Sequence, residues 1–168
     1  MKKLIEKFER KGKSFSVLET DGLRIIIDNL QEGNGIEKAS LTYRTVSNEK
    51  YKPLLYKRQE ILSKNPTDNI KKAQAMSVTI CEFTGSDYGI GICGSAKLKG
   101  TIYLSIYDKL ADKNYRIEVI SKYPEEMLNR VHVYNLICMQ LDRLLDAIVI
   151  KTGNTKSKTA HTVSKKDS

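Results

Sequence analysis

Residues Pro124–Ile150 constrain the fold of this chain more than any other stretch. Met127, Val131, Tyr134, Cys138, Leu141, Leu145 and Ile148 recur at alternating steps of four and three. That spacing lays them along one side of an α-helix. Asn129, His132, Asn135, Asp142 and Asp146 fall on the other side. Pro124 suits a first helical turn, Glu125 and Glu126 complement the positive end of the dipole, and Lys151 and Gly153 mark the stop. Such a helix is about 40 Å long at 1.5 Å per residue. Leu128, Leu136, Ile137, Met139, Leu144 and Val149 widen its apolar stripe. The helix is therefore expected to lie across a β-sheet, and residues 124–150 are a candidate homodimer contact.

The stretches before it read as β-structure. Ser14–Thr20 and Leu23–Leu30 flank Asp21-Gly22, a tight-turn pair, and together predict a hairpin over 14–30. Alternation over 37–46 predicts a third strand. Further strands are expected at Ser77–Thr84, Tyr88–Cys93, Thr101–Tyr107 and Tyr115–Val119, with turns at Gly85-Ser86-Asp87 and Asp108–Asn114. Between the two sets, residues 47–76 form a basic crossover. Pro53 can open a helix through Leu62, and Pro66, after the break at Asn65, can open a second turn or helix toward Met76. The expected fold is α+β: a curved antiparallel β-sheet of about seven strands packed against one long C-terminal helix. Residues 1–153 are expected to form a single domain, followed by a disordered basic tail at 154–168.

This order of strands and helix loosely resembles whirly-type and PUR-type single-strand binders. An OB-like barrel with an added helix is the other candidate. The resemblance is architectural and rests on no shared motif.

Charge supplies the functional expectation. The net charge is +9, but it is segregated. Residues 1–13 hold six Lys/Arg against two Glu, residues 50–72 seven against two acids, and residues 151–168 five Lys against one Asp. Positive segments of this kind attract polyanions. Lys outnumbers Arg by 22 to 7, which favours backbone contact over base reading. Tyr103 and Tyr107 share one face of a strand with Thr101 and Ser105, and Lys97 and Lys99 lie just upstream. Tyr43, Arg44, Tyr115 and Arg116 are further candidates for that face. Aromatic side chains on a basic sheet are how sequence-tolerant binders stack bases. The expected function is thus a non-enzymatic nucleic-acid-binding protein for single-stranded DNA or RNA. Its contacts would come from Lys50, Lys52, Lys57, Arg58, Lys71, Lys72, Lys97, Lys99, Tyr103 and Tyr107. A protein-interaction module (an inhibitor or assembly factor) using the apolar face of the long helix is one alternative. A metal-dependent nuclease built on Asp108, Glu118 and Lys122 is another.

Other chemistry finds little support. Gly89-Ile-Gly91-Ile-Cys-Gly94 spells G-x-G-x-x-G, but a strand follows it where a dinucleotide site needs a helix. Glycines on one strand face instead predict a bulge, a bend or the close approach of another backbone. His132 and His161 form no catalytic cluster, metal-ligand spacings are absent, and no catalytic residue, metal or cofactor is expected. Asp142 and Asp146 read as a solvated helix face. Cys81, Cys93 and Cys138 are read as buried thiols in a reducing cytoplasm, with Cys81 and Cys93 on strands. The charged N-terminus lacks the apolar core of a secretory signal, and no run reaches the ~20 apolar residues of a membrane span.

Overall fold

The computed structural model describes residues 2–20, 23, 25, 26 and 52–157, with the backbone alone for 2, 52–55 and 148–157. Helix α1 (Lys2–Arg10) leads into strand β1 (Phe15–Glu19). Helices α2 (Lys52–Lys64) and α3 (Asn69–Thr84) follow, then strands β2 (Tyr88–Gly94), β3 (Thr101–Asp108) and β4 (Lys113–Ile120), and finally helix α4 (Glu126–Ser157). The strands form one sheet in the order β1-β2-β3-β4. β1 pairs with β2 in parallel, Phe15 opposite Tyr88 and Glu19 opposite Ile92. The β2–β3 and β3–β4 pairs are antiparallel.

Both faces of this sheet are covered. Phe15, Val17, Ile90, Ile92, Ile102, Leu104 and Ile106 point to one side. There they meet Leu4, Ile5 and Phe8 of α1 and Val133, Ile137, Leu141 and Leu145 of α4. Leu18 and Cys93 point to the other side and pack with Ala73, Met76 and Ile80 of α3, with Ile61, Leu62, Phe83 and Tyr103 around them. The period of two along each strand thus feeds two apolar layers. Each large side chain removed from water contributes roughly 1.5–3 kcal/mol.

Helix α3 explains the glycine pattern. A β-carbon on Gly89 would stand 1.9 Å from the Ser77 carbonyl oxygen, and one on Gly91 would stand 2.1 Å from that of Ala73. The missing side chains let the α3 backbone rest directly on β2. The helix begins at Asp68, whose carboxylate accepts from the Lys71 amide at 3.0 Å. It ends at Gly85, whose φ of 71° is the left-handed conformation that closes a helix, with its amide donating to the Cys81 carbonyl. Asp87 then ties the two parallel strands at their N-terminal ends. It accepts from Lys13 Nζ and from the Ser14 amide, each at 2.9 Å.

Several expectations are corrected here. The sheet has four strands and is mixed; it is not a curved antiparallel sheet of about seven, and it is neither whirly-like nor OB-like. Among the described residues of 14–30 no hairpin partner for β1 is found: β1 pairs with β2, while Leu23, Ile25 and Ile26 lie in turns and are buried in the α1/α4 layer. Ser77–Thr84 is the second half of α3, so Cys81 sits on a helix. The proposed strand 37–46, with Tyr43 and Arg44, lies outside the described residues. Helix α4 begins at Glu126 and runs through Ser157, past Gly153.

The facing of α4 is also rotated from the expected one. Met127 and Val131 are exposed, and Asn129 is only 2% exposed. Asn129 is tolerated inside because its amide is fully engaged. Oδ1 accepts from the Lys122 and Tyr123 amides, and Nδ2 donates to the Ala96 and Tyr123 carbonyls, at 2.8–3.0 Å. Asp142 and Asp146 are likewise more than a solvated face, since Lys7 of α1 bridges both, at 2.5 and 2.9 Å.

Candidate functional site

Parallel strands leave their carboxyl ends side by side, and a crevice forms where the chain departs from them. β1 ends at Glu19 and β2 at Gly94, so Thr20 and Ser95 lie at the same edge of the sheet. The Thr20 amide holds the two ends together, donating to the Ile92 carbonyl at 3.0 Å. β3 runs the opposite way, so its first residues, Thr101 and Tyr103, border the same edge. Gly94 makes the close turn possible. Its φ is 118°, and a β-carbon there would lie 2.1 Å from the Thr101 carbonyl oxygen. The N-terminal turn of α3 and Leu62 of α2 stand over this edge. Together they border an open cleft of about 540 Å³ lined by Thr20, Leu62, Asn69, Lys72, Cys93, Gly94, Ser95, Thr101 and Tyr103. That volume is in the range of small-molecule sites.

Six of the nine lining residues carry polar side chains, though polar and apolar atoms share the cleft surface about equally. Lys72 Nζ donates to the Pro66 carbonyl at 2.9 Å and to Asn69 Oδ1 at 3.0 Å. Two of the three ammonium protons are thereby fixed, and no other described residue takes the third. Cys93 Sγ donates to the Asn69 carbonyl at 3.0 Å. Burial pushes its thiol up to about 11, against the opposing pull of the Lys72 charge. It is therefore a neutral thiol at physiological pH and a poor nucleophile. Beneath the cleft, Glu19 is buried, and its Oε1 accepts from the Ile26 amide at 2.9 Å. Arg58 of α2 is also buried and reaches toward the Glu19 carbonyl at 3.5 Å.

The sequence-derived nucleic-acid residues separate. Lys72 and Tyr103 meet in the cleft. Tyr107 lies at the far end of β3, where its hydroxyl donates to Asp112 at 2.9 Å. Lys57 is exposed on α2, whereas Arg58 is buried. Lys71 is exposed and pairs with Asp68 at 3.1 Å. Lys97 and Lys99 are exposed in the β2–β3 connection. Lys50 and the side chain of Lys52 lie outside the described residues. Tyr115 pairs with Ile106 and packs on the α1/α4 side, away from the face of Tyr103.

This geometry removes the stacking platform. The face carrying Tyr103 and Ser105 lies under α3, whose Ser77 hydroxyl stands within hydrogen-bonding distance of Ser105 Oγ and Asn114 Oδ1, each at 3.1 Å. The nuclease trio does not assemble either. Asp108 shares a sheet face with Ile102 and Ile106, Glu118 pairs with Tyr103 and shares the opposite face, and Lys122 lies beyond the far end of β4. Among the described residues, no group of three or more His, Cys, Asp or Glu side chains could hold a metal ion.

The sequence matches no protein-family model and no curated protein. Solved structures do resemble it. The competence-damaged protein (CinA) superfamily protein of Klebsiella pneumoniae 700603 superposes with a TM-score of 0.62 at 14% identity, over 86% of this chain and 94% of that one. The competence/damage-inducible protein CihA of Agrobacterium tumefaciens gives 0.61 at 16%, over 86% and 91%. A CinA superfamily protein of Escherichia coli gives 0.60 at 16%, over 83% and 86%.

The fold is CinA-like. At these identities the likeness concerns the fold alone. It replaces the expected kinship with single-strand binders, and nucleic-acid binding through a Lys/Tyr sheet surface has no support in a sheet covered on both sides. The cleft residues that sequence reasoning missed are Thr20, Leu62, Asn69, Cys93, Gly94, Ser95 and Thr101. They come from five separate segments, gathered by the pairing of β2 with β1 and β3 and by the packing of α2 and α3 against these strands.

Proposed function

We propose that this chain is a binding domain for a small polar molecule that carries a negative charge. One observation carries the reading: hydroxyls from Thr20, Ser95, Thr101 and Tyr103 and the amide of Asn69 line the same cleft as Lys72, whose ammonium has a proton to spare among the described residues. A few convergent polar groups around a cation are how such sites fix orientation and select charge. The amides at the start of α3 are partly occupied by Asp68, so Lys72 is the principal attraction for an anion. Binding without turnover is part of the proposal. It is supported by the neutral Cys93 thiol, which offers the cleft no thiolate nucleophile at physiological pH.

A cytoplasmic location belongs to the same proposal, supported by three free cysteines. Among the described residues no helix is long and apolar enough to cross a membrane.

The test is a thermal-shift panel of sugar phosphates, nucleotides and small dicarboxylates beside their uncharged counterparts. A charged ligand present at 100 times its Kd adds about 2.7 kcal/mol of stability. The expected result is stabilisation by charged compounds only, abolished by Lys72→Gln. The reading fails if no compound stabilises the protein, or if Lys72→Gln responds as the parent does.

A further inference from the structure

Helix α4 buries one row of side chains, Asn129, Val133, Ile137, Leu141 and Leu145. The row offset by two residues, Met127, Val131, Asn135, Met139 and Arg143, points the opposite way, since two residues advance the helix by 200°. All five are exposed, with Met127 at 65%, Val131 at 43% and Met139 at 47%. Leu128 flanks the row and is also exposed. This is a ridge of residues four apart, the kind that interdigitates in the commonest helix–helix crossing.

We propose that this ridge is where a second copy of the chain docks, with the two α4 helices running in opposite directions and crossing on a two-fold axis at Asn135. The proposal is independent of the cleft and its ligand.

Three features select a second copy over another partner. The ridge is symmetric about Asn135, with Val131 and Met139 four residues away on either side. A two-fold axis there places Val131 of each copy against Met139 of the other, as an isologous interface requires. An asparagine amide is also its own complement, since it donates and accepts equally, so two copies of Asn135 satisfy each other across the axis. The charges agree with reversal as well. Exposed Glu125 stands at one end of the helix and exposed Arg143 at the other, so an antiparallel copy brings the acid end to Arg143 on both sides, while Glu126 is held by Arg130 of its own helix at 3.3 Å. Asp142 and Asp146, which would oppose this, are turned toward Lys7.

The experiment is sedimentation equilibrium on the full chain with Asn135→Asp, Asn135→Lys and Val131→Glu. These positions are exposed, and circular dichroism checks that each variant keeps its helix. The parent is expected to dimerise below about 0.1 mM, and each variant alone to weaken association at least roughly tenfold. Mixing Asn135→Asp with Asn135→Lys is expected to restore a dimer, because only a two-fold contact sets residue 135 against itself. A parent that stays monomeric at that concentration overturns the proposal. So do variants that dimerise as the parent does, or a mixture that remains monomeric.

Discussion

The carbonyl oxygen of Ala73 occupies the place a β-carbon on Gly91 would need, at a separation of only 2.1 Å. The Ser77 amide nitrogen is the next obstacle, at 2.6 Å. Both are backbone atoms of α3, so neither can swing aside as a flexible side chain would.

Gly91→Ala should therefore lift α3 off the sheet. The expected loss is about 3 kcal/mol or more, from overpacking at a buried contact. In a domain of this size that corresponds to a fall in Tm of roughly 6–12 °C. Gly85→Ala is the contrast, because nothing lies within 4 Å of its added carbon and only the positive φ is strained. It should lose about 1 kcal/mol. Thermal unfolding of the two variants decides the matter, and equal losses would mean that the helix–strand contact is not the constraint.

Asn129 makes a second, polar joint. Asn129→Ala strands two amides at Lys122 and Tyr123 and two carbonyls at Ala96 and Tyr123. The expected loss is about 2–4 kcal/mol by urea unfolding. A loss below about 0.5 kcal/mol, the range of ordinary surface substitutions, would show that water replaces the amide without penalty.

The Cys93 thiol gives a pH dependence whose sign follows from its burial. Its value in the fold, about 11, lies above that of an unfolded thiol. The protonated form is thus favoured by folding. Its contribution to stability is complete below the ordinary thiol range and is lost as pH rises through about 11. Alkylation of Cys93, followed by peptide mapping, should accelerate about tenfold per pH unit up to that value. A rate that levels off below pH 9 would contradict the burial argument. Lys72→Gln removes the one nearby charge that favours the thiolate, so it should slow the reaction at every pH below the plateau.

What could be read from the sequence depended on whether the signal was local. β2, β3 and β4 are adjacent antiparallel neighbours, and their alternation marks them. Helix α4 declares itself by length, but its facing does not. Met127 and Val131 look like core and Asn129 like surface until the four hydrogen bonds of Asn129 are seen. In α3, the β-branched run Val78-Thr79-Ile80 imitates a strand. The buried set Ala73, Met76, Ser77, Ile80 and Cys81 nevertheless keeps helical spacing, and a window opened at Ala73 would have found it. The glycines at 89 and 91 left a bulge, a bend and a close approach of backbone equally open, and it is the position of α3 that selects the last. The parallel pair was illegible, because Asp21-Gly22 offers a local turn while the true partner of β1 is remote. The cleft was lost with it, leaving Lys72 and Tyr103 to be assigned to a ligand that the covered sheet does not accommodate.

That remote pairing has a consequence for how the chain is made. Ser14 and Asp87, joined at the start of the parallel pair, are 73 residues apart. A ribosome adding 5–20 residues per second needs roughly 4–15 s to cover that interval. β1 is synthesised first and must wait, with its sheet edge unpaired, for the strand that completes it. The segment from α3 through β4, by contrast, holds its own helix–sheet contact and two antiparallel pairings within 52 consecutive residues, Asn69–Ile120. The local contacts of the middle segment can therefore form without the N-terminal strand, whereas that strand's own sheet pairing cannot form until β2 has been made.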